Sequence, residues 1–169
     1  MKESRPTTGK VLGALFNILG DLRGRSFLDM FSGTGRVARL ARDRGACHVT
    51  AVELLPSRAK EIRALFPGDG GAVVLAMDAR RALDYLRRKG RLFDVVFADP
   101  PYGAGWTAEI GQLLFPPGGG VVAEGGIAVV EHSSREALPG GPGWVIVESR
   151  RYGDASLTFL ASRGGEEEE

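Results

Sequence analysis

Residues 26–53 constrain the fold of this chain more than any other stretch. Ser26-Phe27-Leu28-Asp29-Met30-Phe31 reads as a short buried strand. Ser32-Gly33-Thr34-Gly35 interrupts it with small residues, and Arg36 to Arg44 runs on as a helix. A second apolar run, His48 to Val52, ends on Glu53. Strand, glycine turn, helix and a strand closed by an acid make one βαβ unit, the repeating half of a parallel α/β sheet.

The rest of the chain continues that alternation. Arg5-Pro6-Thr7-Thr8 reads as an extended entry in which a threonine can cap a helix at about 8–19, where Val11, Leu12, Leu15, Phe16 and Leu19 recur at helical spacing before Gly20 stops it. Pro56 opens a helix to about Phe66, with Ile62, Leu65 and Phe66 expected inward. Ala72 to Met77 reads as a third strand ending at Asp78, and a helix follows to Lys89 with Leu83 and Leu86 inward. Phe93 to Ala98 is nearly continuous in apolar residues and is expected to be buried on both faces. A helix near Trp106 to Phe115 and a fifth strand, Gly126 to Glu131, come next. Trp144 to Val147 and the alternating Ser156 to Ala161 form a terminal hairpin around Tyr152-Gly153-Asp154. The expected fold is a Rossmann-like three-layer α/β sandwich, with a mostly parallel seven-stranded sheet and a C-terminal antiparallel hairpin. Residues 1–165 are expected to form one domain, with 166–169 as an acidic tail.

Composition narrows the class. A chain of 169 residues is long enough to bury roughly 70% of the surface its unfolded form exposes. No apolar run approaches the roughly 20 residues of a membrane helix, and Met1-Lys2-Glu3-Ser4-Arg5 is not a signal peptide; a cytoplasmic location is expected. The single cysteine, Cys47, excludes an internal disulfide and a multi-cysteine zinc site, and no metal cluster is visible. The net charge of +1 hides four glutamates at the end, so the body is positive and rich in arginine. Arginine forks suit phosphates, although solvated helix faces give the same pattern. Cys47 and His48 read as packing or strand-start residues. His132 is a lesser candidate for a substrate side.

Gly33-Thr34-Gly35-Arg36-Val37-Ala38 matches G-x-G-x-x-A, and Glu53 lies 20 residues beyond Gly33. Glycines admit a ligand close to the backbone, and an acid at the next strand end accepts ribose hydroxyls, so an adenosine-type ligand is expected. Asp29, before the first glycine, would repel a pyrophosphate but favour a ligand carrying sulfonium and ammonium charges. Asp78 suits an adenine amino group, and as readily an N-cap. Asp29, Gly33, Gly35, Glu53 and Asp78 thus fit S-adenosylmethionine (SAM) better than NAD.

Asp99-Pro100-Pro101-Tyr102 is the sharpest signal. An exocyclic base amine is a poor nucleophile because its lone pair is delocalised into the ring. The Asp99 carboxylate and the Pro100 carbonyl are two acceptors for its hydrogens, and proline stiffens the turn that presents them. Tyr102 offers a face for a flipped base. Arg5, Thr7 and Asn17, the polar exceptions around the first helix, and Pro101 are placed on the substrate side.

At these residues the chain resembles the class I SAM-dependent methyltransferases, and more narrowly the bacterial family that methylates N2 of a guanine in 16S ribosomal RNA. The likeness spans Arg5-Pro6-Thr7 with Ala14-Leu15-Phe16-Asn17, then Leu28 to Gly35, then Asp99 to Tyr102, with Tyr152-Gly153 before the last strand. It implies methyl transfer from SAM, without a metal, to 16S rRNA in a small-subunit ribosomal particle or assembly intermediate. Two departures fall on the expected RNA-facing side: Leu12-Gly13 replaces a common Arg-Glu, and the chain starts almost at the RPT motif. A DNA adenine-N6 methyltransferase needs the same acceptors but has a DNA-recognition domain, which is not evident here. An NAD-dependent oxidoreductase leaves Asp-Pro-Pro-Tyr unexplained, and a non-catalytic nucleotide-binding module does so equally.

Overall fold

The computed structural model describes residues 8–164. Among the described residues, five helices and five strands alternate, and two further strands follow: α1 Gly9–Leu19, β1 Ser26–Asp29, α2 Arg36–Asp43, β2 His48–Glu53, α3 Pro56–Arg63, β3 Ala72–Ala76, α4 Ala79–Arg88, β4 Phe93–Ala98, α5 Trp106–Leu114, β5 Val122–Ser133, β6 Trp144–Tyr152 and β7 Ala155–Ser162. They build one seven-stranded sheet in the order β3-β2-β1-β4-β5-β7-β6. The first five strands in that order are parallel, while β7 runs antiparallel to both β5 and β6. The expected three-layer sandwich with a terminal hairpin is the observed one.

Side-chain alternation along the central strands supplies both faces. Phe27, Val49, Val95 and Val129 point to one side, where they pack with Val11, Leu15 and Phe16 of α1, Val37 and Ala41 of α2, and Ile62 of α3. Leu28, Val52, Val96 and Val130 point to the other, against Leu83 and Leu86 of α4 and Ile110 and Leu114 of α5. Each such buried aliphatic or aromatic side chain contributes about 1.5–3 kcal/mol. Because β1 leads to α2 on one face and β4 to α5 on the other, the connections diverge above the C-terminal ends of β1 and β4. That divergence opens the crevice where sheets of this kind bind ligands.

The α1 boundaries follow from its caps. Thr8 Oγ1 accepts the Val11 N–H, and Gly20, at φ 68°, closes the helix. Leu12 is buried against the core, so of the Leu12-Gly13 pair only Gly13 faces outward.

Two expectations about these elements are corrected. The third helix ends at Arg63 rather than Phe66, and its last turn tightens so that Phe66 is buried while Leu65 is exposed. The fifth strand extends to Val122–Ser133 and includes His132. β7 lies between β5 and β6, so Ser156 and Thr158 are buried, and Thr158 Oγ1 is hydrogen-bonded with His132 Nε2 at 2.7 Å and Ser149 Oγ at 2.9 Å.

The arginine surface is partly self-neutralised. Arg23 pairs with Asp21, Arg39 with Asp43 and Arg88 with Asp84. Arg42 forks onto Asp69, at 2.8 Å from both Nε and Nη2, and its Nη1 donates to the Ala46 carbonyl at 2.6 Å. Arg42 is thus a clasp between α2 and the loop before β3 rather than a solvated charge. No helix among the described residues is long and apolar enough to cross a membrane.

Candidate active site at the C-terminal strand ends

Parallel register carries the candidate acids to one edge of the sheet. Asp29 ends β1, Glu53 ends β2, Asp78 follows β3 and Asp99 follows β4, and these strands are adjacent as β3-β2-β1-β4. The Met30 N–H donates to the Phe97 carbonyl and the Ser32 N–H to the Val52 carbonyl, so β1 stays tied to both neighbours as it enters the glycine turn.

Glu53 fixes the turn. It is 7% exposed; its Oε2 accepts the Gly33 N–H at 2.8 Å and its Oε1 accepts the Leu55 N–H at 3.2 Å. Gly33 has φ 58°, and a Cβ there would meet nothing within 4 Å. Gly35 has φ 81°, and a Cβ there would lie 2.9 Å from Leu65 Cδ1 and 3.0 Å from Ile62 Cγ1. The two glycines therefore do different work: Gly33 leaves open space, and Gly35 lets α2 pack on α3.

Asp29 is the most perturbed acid. It is 1% exposed; its Oδ2 accepts the Ser32 hydroxyl at 3.0 Å, while Oδ1 is buried without a hydrogen-bond partner. Burial pushes its pKa up to about 7; the Ser32 hydrogen bond opposes this, and the negative charge of Asp99 adds to it. Asp29 and Asp99 are therefore close enough to repel. A buried carboxylate with an orphaned oxygen beside a second acid is an acceptor arranged for a cation or an N–H donor.

Asp78 caps α4, its Oδ1 accepting the N–H groups of Arg80 at 2.9 Å and Arg81 at 3.3 Å. After β4, Pro100 is buried, Asp99 and Tyr102 are half-buried, and Pro101 is exposed. Asn17 is exposed on α1. Arg5 and Thr7 lie outside the described residues. Cys47 is exposed at the start of β2 rather than packed. His132 is 4% exposed, with Nδ1 2.9 Å from the Ser133 carbonyl and Nε2 on Thr158, so it is held inside the sheet and not offered to a substrate.

Several residues around the site escaped the sequence. Ser32 was legible only as a small turn residue. Leu54 and Leu55, directly after Glu53, are 61% and 45% exposed and form an apolar lip. Trp106 takes the edge of Phe31 at 4.9 Å and the Arg80 guanidinium at 3.9 Å, and Arg80 pairs with Glu109 at 2.5 Å. This cluster locks the ends of β1, α4 and α5 together next to Asp78; a tryptophan four residues past Asp-Pro-Pro-Tyr was its only signal.

Known proteins resemble this chain in sequence and in fold. A family described as "Conserved hypothetical protein 95" matches residues 1–161. Ribosomal RNA small subunit methyltransferase D of Escherichia coli (strain K12) is 31% identical over 142 residues, covering 80% of this chain and 67% of that protein. "Putative rRNA methyltransferase YlbH" of Bacillus subtilis (strain 168) is 29% identical over 170 residues, covering 95% and 89%. The solved structure named "Putative methyltransferase yhhF from Escherichia coli" superposes with a TM-score of 0.81 at 26% identity, covering 94% of this chain and 88% of that one.

Proposed function

Because the chain belongs to the family described as Conserved hypothetical protein 95, we propose that it is a SAM-dependent methyltransferase acting on the exocyclic N2 amine of a guanine in 16S ribosomal RNA, within a small-subunit particle or assembly intermediate. The observation that carries the proposal is the placement of Asp29 and Asp99 at adjacent strand ends, beside a glycine turn with open space above Gly33. The printed names of the two relatives support ribosomal RNA over DNA as the substrate class.

The residues present fit SAM. The orphaned Asp29 Oδ1 is an acceptor for its ammonium group. Glu53, already holding the Gly33 N–H, has lone pairs left for ribose hydroxyls. Leu54 and Leu55 supply an apolar surface for the adenine ring, and Asp78 an acceptor for its amino group. Gly33 and Gly35 shape the backbone that the ligand approaches. When bound, SAM supplies a methyl group on a positively charged sulfur.

The chain's own residues prepare the nucleophile. The Asp99 carboxylate and the Pro100 carbonyl accept the two hydrogens of the guanine amine, which draws its nitrogen away from planarity and frees the lone pair. Tyr102 stacks on the flipped base, with Pro101 beside it, and Arg5, Thr7 and Asn17 bind the surrounding RNA. As the new C–N bond forms, Asp99 takes the proton that the nitrogen loses and passes it to water. Alignment of amine and methyl is an orientation effect, worth on the order of 10² in rate for an error of about 1 Å. Methyl-labelled SAM and ribosomal particles from cells lacking the activity test the proposal, with the labelled nucleoside identified after digestion.

A further inference from the structure

A cavity of about 380 Å³ opens between α4 and the strands β2 and β3, away from the strand-end acids. It lies at the start of β2 and beside the C-terminal end of α4, on the opposite edge of the sheet from Glu53 and Asp78. Its floor is Thr50, which is 2% exposed and hydrogen-bonded to His48 Nε2 at 2.8 Å. Val73 and Tyr85 wall it and are 41% and 38% exposed. Its charged lining side chains, Lys89 and Arg91, are both cationic, and no carboxylate lines it. The Lys89 ammonium stands 5.8 Å from the centre of the Tyr85 ring.

We infer that this cavity binds one nucleotide unit, its ring against Tyr85 and its phosphate between Lys89 and Arg91. The size falls in the range of small-molecule pockets and exceeds what a phosphate alone would fill. An exposed aromatic face next to two cations is the combination that holds a base and its phosphate together. The floor is polar, with His48 Nε2 and Thr50 Oγ1 paired to each other at 2.8 Å, and a hydroxyl so paired has lone-pair capacity left for a base edge. The nucleotide comes either free from solution or as one residue of an RNA strand; the second source rests on the proposed RNA substrate, the first does not.

Calorimetric titration of the full chain with GMP, and separately with a short single-stranded RNA, tests the site. The expected result is saturable GMP binding that Lys89→Ala/Arg91→Ala weakens tenfold or more and that Tyr85→Ser also weakens. SAM affinity should stay within twofold in all variants, which shows that each still folds. If the RNA displaces GMP, the source is RNA; if it does not, the source is a free nucleotide. GMP affinity equal in the parent and all variants, or no GMP binding at all, overturns the inference. Failure of methyl transfer to ribosomal RNA would sink the proposed function while leaving the GMP titration unchanged, so the two failures are distinguishable.

Discussion

The Glu53 carboxylate reaches back across 20 residues to accept the Gly33 N–H at 2.8 Å, so the acid at the end of β2 shapes the turn after β1. In Glu53→Ala the Gly33 and Leu55 N–H groups both lose their acceptor. The expected outcome is a loss of about 1–3 kcal/mol of stability without any ligand, together with a SAM affinity at least tenfold weaker. Thermal unfolding of the ligand-free protein checks the first part; unchanged stability would leave Glu53 with a ligand role alone.

The glycines separate by the same logic. Gly33→Ala places its methyl in open space at a positive φ, so stability should fall by only about 1–2 kcal/mol while SAM binding is lost. Gly35→Ala drives its methyl into Leu65 and Ile62, and should destabilise more than Gly33→Ala does. Paired thermal melts and SAM titrations of the two variants distinguish ligand space from packing.

Asp29 sets a pH dependence with a definite sign. Its pKa is raised by burial from 3.8 to about 7 in the folded chain, so the folded state holds a proton that the unfolded state has released between those values. Its contribution to stability is full below pH 3.8 and is lost as pH rises to about 7. A cationic group beside Oδ1 favours the ionised form, so SAM affinity should rise from pH 5.5 to 7, by at most about tenfold per pH unit. Above about pH 8 the gain ends as the ligand's own amine loses its proton. Asp29→Asn should bind SAM weakly at every pH and show no such rise in calorimetry.

Arg42 and Asp69 test the clasp. Arg42, through its side-chain hydrogen bonds, holds the Asp69 carboxyl down at about 2. Asp69 also accepts the Gly71 N–H at 2.9 Å. Arg42→Lys cannot reproduce the fork and should cost about 1–2 kcal/mol in denaturant unfolding, with SAM affinity unchanged.

Much of this fold is written in periodicity that any reader of the chain can follow. Val95-Val96-Phe97-Ala98 declares a strand covered on both faces, and the structure buries all four. The strand-end acids were legible because parallel βαβ topology delivers the C-terminal ends of its strands to one edge. Local pattern does not reveal which strand is internal, so the alternation of Ser156 and Thr158 with Leu157 and Phe159 does not show that both polar residues are buried in a β7 flanked by β5 and β6. Nor does spacing reveal a fork such as Arg42 on Asp69, or the Phe31–Trp106–Arg80 cluster, because those contacts join segments far apart in the chain. Leu65 was misassigned because a helix carried three residues too far, to Phe66 instead of Arg63, misplaces its last side chains.

The division of labour at the site gives a further outcome. Asp99→Ala should lower methyl transfer by at least about 10²-fold, the scale of lost positioning and proton acceptance, while SAM affinity stays within a few-fold. A parallel loss of SAM affinity in Asp99→Ala, measured by titration, would move Asp99 into the cofactor site.

The most direct measurement is identification of the methylated nucleoside. Small-subunit particles from cells lacking this activity are incubated with the chain and methyl-labelled SAM, and the 16S RNA is digested to nucleosides. The account predicts label in N2-methylguanosine, and none when Asp99→Ala replaces the parent. Label in another nucleoside, or in the adenine of DNA and not in RNA, would contradict it.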